Sequence, residues 1–200
     1  PFGEAYANPK HGTPAFYISN AGDGSIVRVL LDANLTTQVI ATGFPVNHGM
    51  PGSILGPSGL QYQRNTDTLF VVDGTNNSVT AISGVSSMSQ ASLLVQDRGR
   101  HFKGRWANKT RVLIAGAPLN GPISSALLFN GHLVIGNTLD PDGKNLMIEI
   151  NRGGKVLDVR NVDTGPAGSL FGMVATGTNA ADTKVYFNDD NDNNLQVLER

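Results

Sequence analysis

Short apolar runs and polar turns succeed one another along this chain in a pattern that occurs four times. Each unit opens on a Gly/Pro turn, passes through one apolar run, then through a second that ends in Asn or Asp, and crosses a polar turn into a third. The opening turns are Pro1-Phe2-Gly3, Gly56-Pro57-Ser58-Gly59, Gly121-Pro122-Ile123-Ser124 and Gly165-Pro166-Ala167-Gly168. The second runs cover residues 16–20, 69–73, 133–137 and 185–189, so Asn20, Asp73, Asn137 and Asp189 fall on one equivalent position. Their spacings of 53, 64 and 52 residues define a period with one longer member. Runs this short, rich in Val, Ile, Phe and Tyr and bounded by Gly, Asn, Asp and Pro, predict strands; solenoid repeats are generally shorter and carry helices. Phe16-Tyr17-Ile18 and Phe70-Val71-Val72 do not alternate, which predicts strands covered on both faces.

These residues, and Leu69-Phe70-Val71-Val72-Asp73-Gly74-Thr75-Asn76-Asn77-Ser78-Val79 above all, resemble the NHL-type β-propeller repeat, whose second strand ends in Asp before an Asn-containing turn. The other three units keep mainly the apolar and turn pattern. The resemblance implies an all-β fold of radial, antiparallel, four-stranded blades with the first strand of each innermost. It leaves chemistry open, because such propellers include ligand- and protein-binding scaffolds as well as some lyases and lactonases.

The units run over about residues 1–55, 56–120, 121–164 and 165–200, within a single domain or a fragment of one. Strands are expected at 4–7, 15–19, 26–31 and 38–41 in the first, and at 60–63, 69–72 and 79–82 in the second. The fourth strand of the second unit is better matched by residues 111–115 than by 92–96, because Arg111-Val112-Leu113-Ile114-Ala115-Gly116 parallels Gln38-Val39-Ile40-Ala41-Thr42-Gly43. That choice makes residues 86–109 an insertion. The third unit is expected at 125–129, 132–135, 146–150 and 156–160, the fourth at 169–175, 184–187 and 195–198. With no fourth strand in the last unit, the four blades are expected to belong to a larger propeller of about six blades, or to be completed by residues or a partner not present. Four blades closing alone is the alternative.

The chain's 200 residues, 40% hydrophobic with 24 Gly and 10 Pro, fit a turn-rich β globule. A net charge of −1 gives no overall field for nucleic acid or an anionic membrane. Zero cysteines exclude disulfides, thiolate metal sites and cysteine nucleophiles; the absence fits an extracellular or periplasmic protein and fits many cytosolic ones. No apolar stretch reaches the roughly 18 residues of a membrane helix.

Seven of the sixteen acidic residues, Asp23, Asp73, Asp140, Asp142, Asp189, Asp190 and Asp192, lie in the turns after the second strands, on one predicted rim. Within that rim, Asp190, Asp192 and Asn194 have the alternate-residue oxygen spacing that Ca²⁺ or another divalent cation uses. Asp, Asn and Gly are also what tight turns require, and no cofactor follows from them. Asn20, Asp73, Asn137 and Asp189 are the candidate ligand-binding set. Among the histidines only His48, in a Gly/Pro-rich linker facing the same rim, is a candidate. The insertion gathers Arg98, Arg100, Lys103, Arg105, Lys109 and Arg111 around His101, Phe102 and Trp106, so that six of the fifteen basic residues occupy fourteen positions. Arg98, Arg100, Phe102, Lys103, Arg105 and Trp106 therefore form a candidate interface for a protein partner or another segment of the full-length chain; nucleic acid is disfavoured because the remaining surface is not basic. There is no Gly-x-Ser-x-Gly elbow, P-loop or dinucleotide fingerprint. The reading is a non-enzymatic propeller scaffold that presents loops for protein or ligand contact. The alternative is a metal-dependent hydrolase or lactonase-like lyase at the channel mouth.

Overall fold

The computed structural model describes residues 1–49 and 53–199. Met50, Pro51 and Gly52 of the linker carrying His48 lie outside the described residues. The first unit folds as β1 (Glu4–Ala7), β2 (Ala15–Asn20), β3 (Ser25–Leu30) and β4 (Thr37–Thr42). The second gives β5 (Pro57–Gln63), β6 (Thr68–Asp73) and β7 (Ser78–Ser83), departs through β8 (Leu93–Gln96) and β9 (His101–Lys103), and returns as β10 (Thr110–Ala115). The third is β11 (Pro122–Leu127), β12 (Leu133–Asn137), β13 (Leu146–Ile150) and β14 (Val156–Asn161). The fourth is β15 (Met173–Thr176), β16 (Lys184–Asp189) and β17 (Asn194–Glu199). Asn20, Asp73, Asn137 and Asp189 are each the last residue of a second strand, as their alignment requires.

The first strands pack side by side, β1 on β5, β5 on β11 and β11 on β15. Together they line one cavity of about 190 Å³, bounded by Gly3, Gly59, Ser124 and Gly172 among others. A side chain at Gly59 would lie 2.6 Å from the Ile123 carbonyl oxygen, so only glycine lets these blades approach so closely. Sheets set radially with their innermost strands about an axis form a β-propeller, the expected fold.

Three apolar layers separate the four blades. Tyr17, Ile26 and Ile40 of the first blade meet Leu60, Leu69, Val71 and Ile82 of the second. Phe70, Val72 and Val79 meet Leu133, Ile135, Ile148 and Ile150 of the third, and Val134 and Met147 meet Val185 and Phe187 of the fourth. Successive residues of a strand point to opposite faces, so β6 sends Leu69 and Val71 into one layer and Phe70 and Val72 into the next. That explains its unbroken apolar run and its complete burial.

Two expectations are corrected. Phe16 was expected to be covered, yet it is 37% exposed and its ring neighbour Tyr6 53% exposed, because among the described residues no other blade packs on that face of the first sheet. Among the described residues the sheets hold six, four, four and three strands; the three-stranded fourth unit is as expected, and the six-stranded first is not. The insertion causes that departure: β8 pairs parallel to β4 through Ala41↔Leu93 and Thr42↔Leu94, and β9 pairs antiparallel to β8. A segment that leaves the second blade thus widens the first before β10 returns to pair with β7 in the expected register.

Candidate functional site

Each of the four equivalent turn residues is hydrogen-bonded within its own surroundings. Asp73 Oδ1 accepts the Thr75 and Asn76 amides at 3.0 and 3.3 Å, and Asp189 Oδ1 accepts the Asn191 amide at 3.1 Å. Asn20 Nδ2 donates to Ser25 Oγ at 3.0 Å. Asn137 reaches back to the preceding connection, donating to the Pro118 carbonyl at 2.9 Å and accepting the Asn120 amide at 3.1 Å. Asp73 and Asp189, whose side chains accept amides of the turn that follows, build those turns.

The tract expected to suit a cation lies at the turn between β16 and β17. Asp190 Oδ1 accepts from Asn188 Nδ2, and Asp190, Asp192 and Asn194 are exposed side by side along the turn. Among the described residues no group of three or more histidine and carboxylate side chains is placed to hold a metal ion. His48 is exposed, and His132 sits against Glu149 with Nδ1 to Oε1 at 2.8 Å.

The insertion is built differently from the expected interface. Trp106 is buried at 6% exposure in the layer between the first two blades, its indole N–H donating to the Ser83 carbonyl at 3.0 Å and Lys109 Nζ lying 4.6 Å from its ring centroid. It therefore anchors the insertion to its own blade and is not available to a partner, which corrects the sequence reading. Phe102 is half-buried against the same layer. Arg98, Arg100, Lys103 and Arg105 remain exposed.

Arg98, Gly99 and Arg100 form one wall of a groove of about 310 Å³ whose other walls are Thr75, Asn76, Asn77 and Ser78 from the second blade's turn and Val112, Ala115 and Gly116 from β10 and its exit. Asn76 Nδ2 donates to the Arg98 carbonyl, which clamps the loop in place. Gly99 has φ +82, and a side chain there would meet Asn76 Nδ2 at 2.8 Å, so glycine is needed for this approach. Asp97, the nearest carboxylate in sequence, is taken up by His101 Nδ1. Among the described residues neither Arg98 nor Arg100 has a carboxylate partner.

Beneath this groove Asp73 is 1% exposed, and its Oδ2 has no hydrogen-bond partner in the structure. Burial pushes its carboxyl up from 3.8 to about 6, against the Asn76 and Thr75 amide hydrogen bonds that lower it. A folded-state value above the unfolded one means that folding disfavours the ionised form. Stability is therefore expected to be highest below about pH 4 as far as Asp73 is concerned, and to fall by about 2 to 3 kcal/mol as pH rises to about 6. Asp32, Asp163 and Asp182 are held below 3.8 by hydrogen bonds, so their contributions are lost only in more acidic solution. Thermal melting between pH 4 and 7, with Asp73→Asn flattening the profile, checks this; a flat profile for the unaltered chain would contradict it.

Two polar hubs escaped the sequence reading. Arg28 lies 5% exposed within β3, and Asn145 is fully buried, donating to Asp163 Oδ2 at 3.0 Å and the Pro166 carbonyl at 2.9 Å while accepting the Gly168 and Ser169 amides. Asn145 thus folds the connection between the third and fourth blades. The signal for Arg28 was its placement two residues from both Ile26 and Leu30, on one face of the strand.

No family model matches the chain, and no curated protein matches its sequence. Among solved structures the chain is similar to a catalytically inactive virginiamycin B lyase from Staphylococcus aureus, crystallised with quinupristin. The identity is 12%, with 98% of this chain and 54% of that one covered, at a TM-score of 0.55. A streptogramin B lyase structure overlaps at 10% identity over 100% of this chain and 83% of that one, at a TM-score of 0.37. The first likeness establishes the fold, and the chain spans about half the length of that lyase.

Proposed function

We propose that this chain is a non-enzymatic, NHL-like propeller scaffold that binds a carboxylate-bearing segment of a protein partner in the groove between the second blade's turn and the insertion. The supporting observation is the pair of exposed guanidinium groups, Arg98 and Arg100, presented without a carboxylate partner beside the amides of Asn76 and Asn77. Guanidinium forks bind carboxylates through paired hydrogen bonds, and neighbouring amides add orientation. Lys103 and Arg105 extend the positive surface along the insertion.

Titration with an Asp/Glu-containing peptide is expected to give salt-sensitive binding that weakens by roughly tenfold or more in the Arg98→Ala, Arg100→Ala double variant, with the melting temperature unchanged. Equal affinity for the double variant would contradict the proposal. The second reading, a lyase at the channel mouth, draws on the likeness to virginiamycin B lyase and on the raised pKa of Asp73. It asks for converging chemical groups, whereas Asp73 and Asp189 each use Oδ1 on the amides of their own turns. Conversion of quinupristin by the purified chain, followed by chromatography, would favour the lyase over the scaffold.

A further inference from the structure

At the other end of β6 from the Arg98–Arg100 groove, three segments far apart in sequence meet around a second groove of about 350 Å³. The connection from β1 to β2 brings Lys10 and His11, the turn from β5 to β6 brings Arg64 and Asn65, and the start of the insertion brings Ser87. All five side chains are exposed. The groove lies between the first two blades, which pack directly on each other.

Among the described residues neither Lys10 nor Arg64 has a carboxylate partner. The acidic residue in the lining, Asp67, is already engaged: Oδ1 accepts the Tyr62 hydroxyl at 2.9 Å, and Oδ2 accepts the Ser86 hydroxyl at 2.7 Å. A further cation stands behind the lining. Arg28, 5% exposed, donates at 2.7 Å to the carbonyl of Ser86, itself a lining residue, and among the described residues it too has no carboxylate partner. Burial removes the water that would screen it, so its charge adds to those of Lys10 and Arg64 across the groove. Three cations thus face one carboxylate whose oxygens are occupied, and the field inside the groove favours an anion.

We propose that this groove binds the phosphate group of a small phosphate ester with a hydroxyl-bearing body, a sugar phosphate in chemical class. A carboxylate offers two oxygens in one plane, which suits a single guanidinium fork; donors converging from three segments suit an anion with oxygens on every side. The Lys10 ammonium and the Arg64 fork supply the charge, and the His11 ring supplies a further N–H. Beside them Asn65 and Ser87 offer an amide and a hydroxyl, groups that pair with the hydroxyls of a sugar and give nothing to an apolar body. The volume lies at the lower end of the range for small-molecule pockets, which leaves room for the body of such an ester. This site uses none of the Arg98–Arg100 groove and stands or falls independently of it.

The test is titration calorimetry of the 200-residue chain with glucose 6-phosphate as the probe, and with inorganic phosphate, glucose and a phosphoserine peptide as the other arms. Glucose 6-phosphate is expected to bind, to lose affinity as salt is added, and to exceed inorganic phosphate and the peptide by about tenfold or more, while glucose gives no binding heat. The Lys10→Ala, Arg64→Ala double variant is expected to weaken that binding by roughly tenfold or more with the melting temperature unchanged, since both side chains are exposed and neither holds a partner in the fold. Amide shifts are expected at residues 9–11, 64–67 and 86–87. No binding of glucose 6-phosphate, equal affinity in the double variant, or shifts centred on residues 98–100 would overturn the proposal. So would inorganic phosphate held as tightly as the ester, which would mark an adventitious ion only, or the phosphoserine peptide held more tightly, which would assign the groove to a protein partner.

Discussion

Trp106→Ala is expected to destabilise the fold by about 3 to 5 kcal/mol, lowering the melting temperature by on the order of 10 °C. The indole sits in the layer between the first two blades and donates to the Ser83 carbonyl at 3.0 Å. Its removal opens a cavity there and leaves that carbonyl without its donor. Lys109, 4.6 Å from the ring centroid, loses its cation–π contact as well. Trp106→Phe keeps most of the buried area but loses the N–H, so its cost is expected to be nearer 1 kcal/mol. Thermal and denaturant melts of the two variants check the order. Melting of the alanine variant within a degree of the parent would mean that the ring is a surface anchor after all.

Arg28→Ala is the other large effect, expected at about 3 kcal/mol, with loosening of the insertion as its signature. The guanidinium is buried in β3 and among the described residues has no carboxylate partner; it donates to the Ser86 carbonyl at 2.7 Å, to Gln38 Oε1 at 2.5 Å and to the Met88 carbonyl. These bonds hold the start of the insertion, including the 3₁₀ turn Val85–Ser87, against the first blade. Asp67 grips the same turn from the second blade through Ser86 Oγ at 2.7 Å. Removing the fork strands buried carbonyls, each worth about 1 to 3 kcal/mol unless water reaches them. Arg28→Lys is expected to recover only part of the loss, because one ammonium cannot span acceptors arranged for a planar fork. Limited proteolysis reads the insertion directly: cleavage within residues 88–92 is expected to accelerate in Arg28→Ala. Cleavage unchanged, with stability unchanged, would show the fork to be dispensable.

The strands themselves were legible because local apolar runs and turn residues mark them. The register of β10 could be read from its likeness to β4, since both face the same packing problem in successive blades. The partnership of β8 with β4 could not, because a parallel pairing between residues about fifty apart leaves no periodic trace in either strand. Trp106 was misread for a related reason: a cluster of cations looks like a surface whether or not the aromatic among them turns inward. Arg98 and Arg100 were legible as a basic cluster, but their juxtaposition with residues 75–78 depends on the fold bringing the insertion back across its own blade. Exposure of Tyr6, Phe16, Val174 and Leu195 follows from which sheet faces have a neighbouring blade among the described residues, a property of the packed blades and not of any one repeat.

Residue-resolved amide shifts during titration with an Asp/Glu-containing peptide test the binding groove most directly. Shifts confined to residues 75–78 and 97–101, saturating with the peptide and abolished in the Arg98→Ala, Arg100→Ala variant, are the expected result. Shifts centred on the first-strand cavity around Glu4, Gln61 and Met173, or none within the groove, would contradict it.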